Sequence, residues 1–524
     1  MKRYITYIFA GALIAFGATA CVNDLNVTPI DPNLSLLDDP DYLFNKCYGT
    51  MAMAGNSSGD GSVDVEGIDG GTSGYVRQYW NSNELTTDEA ICGWGDEGIS
   101  AFCFNSYDAS HPMLRGLYYR LYTAITYCNH YLEVAGDLDA VKAAEIRFLR
   151  AFHYHLAMDA FGNIPFVTAI ISEKPQQASR ADVFSFIESE LLEIESQLSE
   201  PKVRTSADTG YGRVDKAAAW LLLSRIYLNA EVYTGTARWA DAAAYAKKVI
   251  DSPYGLNVNG SNGYSAYEML FMGNNGETSA TVEAVFPILQ DGKKTASWGA
   301  SLFLIASTAG GDFPTGTSES WNGNRARPDL VAKFFPNGNA PEADKYGVVR
   351  AAGDDRALFH SVGRRLDNAD VGTYEDGFAV AKFSNIYTDG SAGHDDQYVD
   401  MDFFLMRAAE AWLTYAEAVS RQNGGSVSAE AVSYLNELRS RAHASIKTSW
   451  TLDDICDEWS REFFFEGRRR VDLIRFGKFG GSNYAWRWKG GVYEGASFPA
   501  TRNIFAIPTS DLTANENLVQ NPGY

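Results

Sequence analysis

The stretch from Ala144 to Phe161, AEIRFLRAFHYHLAMDAF, decides the fold. Ile146, Leu149, Phe152, Leu156 and Ala160 recur in steps of three and four, the spacing that aligns side chains along one face of an α-helix and marks that face for burial. Asn163-Ile164-Pro165 ends the helix, because proline has no N–H for the helical ladder. Downstream, SRADVFSFIESELLEIESQL starts with Ser179 three residues before Asp182, a capping pattern whose acidic first half sits favourably against the helix dipole. VDKAAAWLLLSRIYLNA is apolar nearly all round, with Ala217, Ala218 and Ala219 ahead of the bulky run from Trp220 to Leu223, so it is expected between neighbours on every side. TARWADAAAYAKKVIDS follows after a short turn.

Helical periodicity returns in DFFLMRAAEAWLTYAEAV, SAEAVSYLNELRSRA and LDDICDEWSREFFFEGRRRVDLIRF. Paired helices with small residues on one member and large aromatics on the other have the character of tetratricopeptide hairpins, without the strict repeat signature; plain antiparallel packing is the rival reading. Between about 255 and 400 the chain is rich in Gly, Ser and Asn, with strand-like runs such as TVEAVFPIL, and is expected to be loop-dominated. The fold class read from this pattern is mostly α. A tetratricopeptide-like scaffold over about 37–54, 108–250 and 402–480 carries an irregular elaboration over about 55–107 and 255–400. Residues 37–524 are expected to form a single unit.

The chain begins MKRYITYIFAGALIAFGATAC. Lys2 and Arg3 form a positive head, Tyr4 to Phe16 an apolar run too short to span a bilayer, and Gly17-Ala18-Thr19-Ala20 a small-residue site before Cys21. Residues 1–20 read as a signal peptide and Cys21 as the acceptor of a bacterial lipid anchor, although Ala18 stands where such signals usually carry Leu; an ordinary secretory leader is the alternative. VNDLNVTPIDPNLSL, residues 22–36, has no helical period and reads as a tether reaching about 50 Å when extended.

Hydrophobic residues make up 45% of the 524 and charged ones 21%, so the chain can bury a large core. The formal charge is −22, and loss of the leader removes Lys2 and Arg3 but no acid, which makes the remainder more negative still. Such a surface repels phosphate backbones, acidic polysaccharides and anionic lipid, and favours a neutral ligand. The six cysteines show no disulfide framework or zinc spacing. A Cys92–Cys103 bridge and separate buried thiols both remain open.

Gly93-Trp94-Gly95-Asp96-Glu97-Gly98 matches the dinucleotide-binding pattern formally, but follows acidic, helix-compatible sequence and is rejected as a cofactor loop. None of the seven histidines falls in a metal-binding motif. No nucleophile elbow is present, and the many acids leave a glycosidase-type carboxylate pair only weakly open. Arg468-Arg469-Arg470 follows Glu462 and Glu466, with Glu466 one helical turn from Arg470, so structural ion pairing is expected there.

The aromatics are more telling. Most of the 29 Tyr, 29 Phe and 11 Trp are expected in the core. Trp94 in CGWGDEG, Trp298 in TASWGAS and Trp321 in SESWNGN instead sit in small-residue loops with no regular period. Indole faces held on loops offer apolar platforms to the C–H faces of a sugar ring, whose hydroxyls seek polar groups nearby. Convergence of all three would make a neutral-saccharide site.

The leader, AEIRFLRAFHYHLAMDAFGNIPFVT, WSREFFFEGRRRVDLIRFGKF and the ending NENLVQNPGY together resemble the RagB/SusD family of Bacteroidetes outer-membrane glycan-binding lipoproteins over essentially the whole mature chain. Runs such as SNELTTDEA, DKAAAWLLLSRIYLNAEVYTG and AAGDDRAL look like the family's starch-binding member. The resemblance implies four tetratricopeptide-like helix pairs and a lipid-anchored cell-surface position at the outer membrane. It also implies a SusC-like TonB-dependent transporter as partner and no enzymatic activity; no cofactor, metal ligand set or nucleic-acid partner is read from the residues, and the sequence leaves bound calcium open. It places Trp94, Trp298 and Trp321 on an arc of three aromatics that cradles a curved α-glucan, with Asp69 and Arg77 contacting hydroxyls. Two departures follow from the comparison: Glu97 stands at an amide position, and an ionised carboxylate accepts but does not donate; Trp298 stands at a tyrosine position. Another glucan such as dextran, a peptide, or a hydrolysed substrate are the alternatives to a starch-like ligand.

Overall fold

The structure, a computed structural model, describes residues 39–524. The expected signal peptide, Cys21 and the tether lie outside the described residues. Helix α1 (Pro40–Ala52) is capped by Asp39, whose carboxylate accepts the Tyr42 N–H at 2.8 Å. Helix α2 (Tyr75–Glu84) falls in a segment expected to be irregular, and all ten of its residues are buried. Its sequence, YVRQYWNSNE, sets Tyr75, Val76, Tyr79 and Trp80 on one face, and the polar residues that would normally mark a solvent face, from Arg77 to Glu84, are enclosed as well.

Helices α3 (Pro112–Ala135) and α4 (Ala140–Phe161) form a hairpin, with Asp139 capping α4. Helix α4 is buried nearly all round: Arg150, His153, His155 and Asp159 are enclosed together with its apolar stripe, and Leu156 is only half-buried. The cause is packing against α1, α3 and the following helix α5 (Arg180–Ile194). Ser179 caps α5 as its sequence indicates, its hydroxyl accepting the Asp182 N–H at 3.1 Å. Helix α6 (Lys216–Leu228) is enclosed except at Lys216 and Trp220, and α7 (Trp239–Ile250) packs on it.

The C-terminal helices join this scaffold directly. Helix α8 (Ala409–Gln422) lies against α6 and α7, and α9 (Ala429–Arg441) against α8. Helices α10 (Leu452–Phe463) and α11 (Arg469–Arg475) follow. A continuous apolar cluster extends from Leu43 to Leu518.

The chain departs from the expected helices just before α8 and between α10 and α11. The run opening DFFLMRAAEAW is not helical at its start: Phe403–Arg407 is a strand paired antiparallel with Ala284–Ile288. All five of its residues are buried, and a fully buried strand has no alternation to separate it from a buried helix. The run from Trp459 to Phe476 is two helices, not one. After Phe463 the chain turns out of the helix, with Phe465 at φ 64° and Gly467 at φ 81°, where a Cβ would run into the Tyr79 ring. Ion pairing involving the arginine triplet is present, but with other partners. Arg469 meets Asp88 at 2.7 Å, Arg470 meets Asp159 at 3.5 Å and Arg468 meets Glu410 at 3.3 Å. Glu466 pairs with Arg407 and Lys382, both at 2.7 Å. The break between the helices rotates the expected i, i+4 partners apart.

Cys47, Cys92, Cys103, Cys128 and Cys456 are all free and buried. The Cys92–Cys103 bridge is not formed; the Cys92 N–H instead approaches the Cys103 sulfur at 3.4 Å. Burial holds the Cys92 thiol well above its ordinary range.

Candidate ligand-binding site

Strand register brings two of the three loop tryptophans together. Ala90–Cys92 pairs antiparallel with Asn324–Ala326, so that Cys92 lies opposite Asn324. Gly93 extends the pairing by donating to the Gly323 carbonyl at 3.2 Å. Trp94, just after one strand, and Trp321, just before the other, are thereby neighbours, with ring centroids 6.5 Å apart and planes inclined at 50°. Gly323 sits at φ 124° and lies against the Trp94 indole, where no Cβ could fit.

The short helix Ser301–Ala306 links the third. Trp298 lies just before it, and the Trp321 N–H donates to the Ala306 carbonyl at 2.9 Å. The Trp298 N–H donates to Asp60 Oδ2 at 2.6 Å, and Gly71 lies against the Trp298 side chain. Trp298 and Trp321 are 6.0 Å apart at 42°, and beyond Trp298 stands Tyr398 at 5.1 Å and 61°. The order Trp94, Trp321, Trp298, Tyr398 is a continuous aromatic arc, each ring half-buried. Successive inclinations of 42–61° mean that the rings do not form a single flat wall.

Polar groups edge the arc. Trp321 Nε1 donates to Glu319 at 2.6 Å, and Gln397 donates to the other oxygen of the same carboxylate at 2.7 Å. The Arg77 guanidinium lies 5.4 Å from the Trp94 ring centroid and 5.3 Å from that of Phe303, a cation held over two aromatic faces. Burial lowers its pKa; Asp96, Cys92, Asp69 and Asp60 oppose that in decreasing order. Arg77 Nε is buried with no hydrogen-bond partner among the described residues. Asp69 is exposed, with Oδ1 accepting the Thr72 N–H at 3.0 Å, two residues before the Gly71 that touches Trp298. Glu97 is exposed three residues past Trp94, and chain proximity alone ties it to the rings.

The structure thus gathers Trp94, Trp298, Trp321 and Arg77 and places Asp69 close by. Sequence reasoning missed Tyr398, Phe303, Glu319, Gln397 and Asp60. Tyr398 shares the signal used for the tryptophans, a large ring in a small polar loop, DDQYVD. The stated ground for rejecting Gly93–Gly98 as a cofactor loop is also corrected. That segment does run from a strand into a helix, but the strand has three residues in an antiparallel pair and the helix, Ile99–Cys103, has five. It is no parallel βαβ crossover. Elsewhere, Asp291, His394 and Asp400 bring ligand atoms within 4.8 Å of one another. Hydrogen bonding accounts for this group: Asp400 takes the Gly292 and His394 N–H groups at 2.8 Å each, and its carboxylate meets the His394 ring at 2.8 Å.

A model of the SusD family matches residues 349–524. The starch-binding protein SusD of Bacteroides thetaiotaomicron is 39% identical, in a match spanning 100% of this chain and 99% of that protein. The chain belongs to the SusD family. A SusD-like protein of Formosa agariphila, P2, is 28% identical across 79% of this chain and 81% of its own. Among solved structures, a SusD superfamily protein of Bacteroides vulgatus superposes with a TM-score of 0.68 at 18% identity, covering 93% of this chain and 99% of that one. A laminarin-binding SusD-like protein gives 0.65 at 21% identity, with 93% and 98% covered. The mostly helical build read from the sequence is therefore the SusD fold, and the aromatic arc is carried on the irregular segments of a SusD-family chain.

Proposed function

We propose that this protein is a non-catalytic, cell-surface receptor that binds a starch-like α-glucan and delivers it to a SusC-like TonB-dependent transporter. A lipid on Cys21 would hold it to the outer membrane. The observation that carries the reading is the meeting of three indoles from distant parts of the chain, joined by Tyr398, in one continuous row of half-buried, mutually inclined rings. A coiling α-glucan presents a curved apolar rim that can lie along such rings, while Arg77 donates to hydroxyls and Asp69, Glu97 and Glu319 accept from them. The net charge of −22 suits an uncharged polymer, and the 39% identity to a protein named for starch binding supports the ligand class.

The test is retention in native gels containing amylopectin, with dextran and a β-glucan as comparisons. Trp94→Ala/Trp298→Ala is expected to weaken amylopectin binding by roughly five- to 150-fold, on the order of two lost ring platforms at about 0.5–1.5 kcal/mol each. Unchanged retention of the double variant would end the assignment of the arc.

A further inference from the structure

A second groove lies along the exposed side of α3. Tyr119, Thr123, Thr126 and Tyr127 line it from the helix, and Asp64 and Glu66 from the facing loop, around a cavity of about 410 Å³. The helix residues recur at steps of three and four and so share one face, yet the face is neither simply apolar nor simply charged. The rings of Tyr119, Tyr122 and Tyr127 flank Thr123 and Thr126, whose hydroxyl donates to the Tyr122 carbonyl at 2.8 Å, and Asp64 and Glu66 stand on the opposite wall.

The rings are held in place. Tyr127 donates to Asp64 at 3.1 Å and carries the Lys46 ammonium 5.2 Å from its ring centroid. Tyr119 shares a hydrogen bond with Ser510 at 2.7 Å. Tyr122, between them, donates to the Pro165 carbonyl at 2.7 Å and leans on Tyr118 at 4.7 Å. Hydroxyls tied to the protein leave fixed, half-buried ring surfaces, so a ligand that uses them loses little side-chain freedom on binding. Asp64 is matched by Lys46 at 3.0 Å and Arg120 at 3.5 Å, while Glu66 stands exposed at the rim as an acceptor. A groove of ring faces, hydroxyls and a rim carboxylate suits a neutral polyhydroxylated chain and disfavours an anionic one.

Its position relates it to the aromatic arc. The loop that supplies Asp64 and Glu66 continues through Gly67, whose carbonyl accepts from Arg115 of α3 at 2.7 Å, to Asp69 and then Gly71 against Trp298. From Glu66 to Gly71 is five residues, at most about 18 Å of chain. One loop therefore supplies a wall of the tyrosine groove at Asp64 and Glu66 and, a few residues on, a contact to Trp298 at Gly71.

We propose that the α3 groove is a second contact for the same neutral polysaccharide, engaged by chains long enough to leave the tryptophan arc and pass over the loop. The inference rests on the glucan reading of the arc. Two linked contacts on one polymer raise its apparent affinity without strengthening the binding of a short oligosaccharide, because the second contact forms at high effective concentration.

The experiment is a calorimetric titration with a short maltooligosaccharide and with a long soluble α-glucan. It compares the unaltered protein, Tyr119→Ala/Tyr127→Ala, Thr126→Arg at an exposed helix position, and Trp94→Ala/Trp298→Ala. Both groove variants are expected to lose roughly two- to tenfold in affinity for the long chain, the scale of an aromatic contact, with short-chain affinity unchanged. Thr126→Arg removes no core group, so its result stands if the tyrosine variant folds poorly. The arc variant should keep a weak response to the long chain that adding Thr126→Arg abolishes. Equal long-chain affinity in Thr126→Arg and the unaltered protein overturns the groove and leaves the arc standing. An arc variant that binds like the unaltered protein while the groove variants fail overturns the arc and leaves the groove. No response of the unaltered protein to either sugar overturns both.

Discussion

Gly323 shows how narrowly one residue sets the position of a ring in the aromatic arc. Its backbone lies at φ 124°, a region open to glycine and strained for any L side chain, and its missing Cβ is the space that Trp94 occupies. Gly323→Ala should both strain the turn, by about 1–3 kcal/mol, and push the indole off the arc. The expected outcome is a lower melting temperature together with a roughly tenfold loss of glucan affinity, about 1.4 kcal/mol. A stability loss with native affinity would mean that the Trp94 position does not matter to binding. The three tryptophans were legible in the sequence because loops of small residues give an indole no helix face to serve. Phe303 and Asp60 were not, since Phe303 reads as core in SLFLIA and Asp60 matters only once the fold brings it to the Trp298 N–H.

Long apolar or capped elements were legible even where they are enclosed, as α4 and α6 are, while short enclosed ones were not. Helices α4 to α6 announce themselves through period, caps or a long apolar run; α2 does not, being ten residues long with a polar majority that reads as loop, and the Phe403–Arg407 strand does not, being buried on both faces. The turn between α10 and α11 was missed for a related reason, because what fixes it is a side chain far away in sequence. Glu84 at the end of α2 accepts the Gly467 N–H at 2.6 Å and the Arg468 N–H at 3.0 Å. Trp80 donates to the Phe465 carbonyl at 2.9 Å. Burial, reinforced by neighbouring Glu89, holds the Glu84 carboxyl well above the usual carboxylate range, against the pull of the two backbone N–H groups it accepts. Glu84→Gln keeps an acceptor oxygen and is expected to stay within about 1 kcal/mol of the native stability. Glu84→Ala orphans two buried N–H groups and should lose on the order of 2–5 kcal/mol. Urea unfolding of the two variants decides it, and equal losses would rule out acceptor geometry as the reason.

Across the whole molecule, charges are buried where distant segments meet. Arg407 pairs with Glu283 and Glu466 at 2.7 Å, Arg441 with Glu283 at 2.7 Å, and Arg356 with Asp354 and Glu458 at 2.8 Å. Other enclosed groups stay neutral instead, and these couple global stability to pH. Burial lowers His111 and His155 to about 4 and His153 to about 3. The unfolded chain takes up these protons near pH 6.5 and the native one does not, so their contribution is present above about 6.5 and is lost as pH falls toward 3–4. Asp402 acts with the opposite sign. It accepts the Tyr211 hydroxyl at 2.6 Å and the Gln290 N–H at 2.7 Å, joining two loops to the strand pair, and burial raises it to about 7. Between about pH 4 and 7 the native state holds a proton that the unfolded state has released, so this contribution is full below about 4 and disappears as pH rises through 7. Asp402→Asn removes that term and leaves the histidines. Its stability relative to the unaltered protein should therefore climb with pH, by up to about 1.4 kcal/mol per pH unit across that window. Urea midpoints at pH 4.5, 5.5 and 6.5 measure the slope, and parallel curves for the two proteins would mean that Asp402 is ionised throughout.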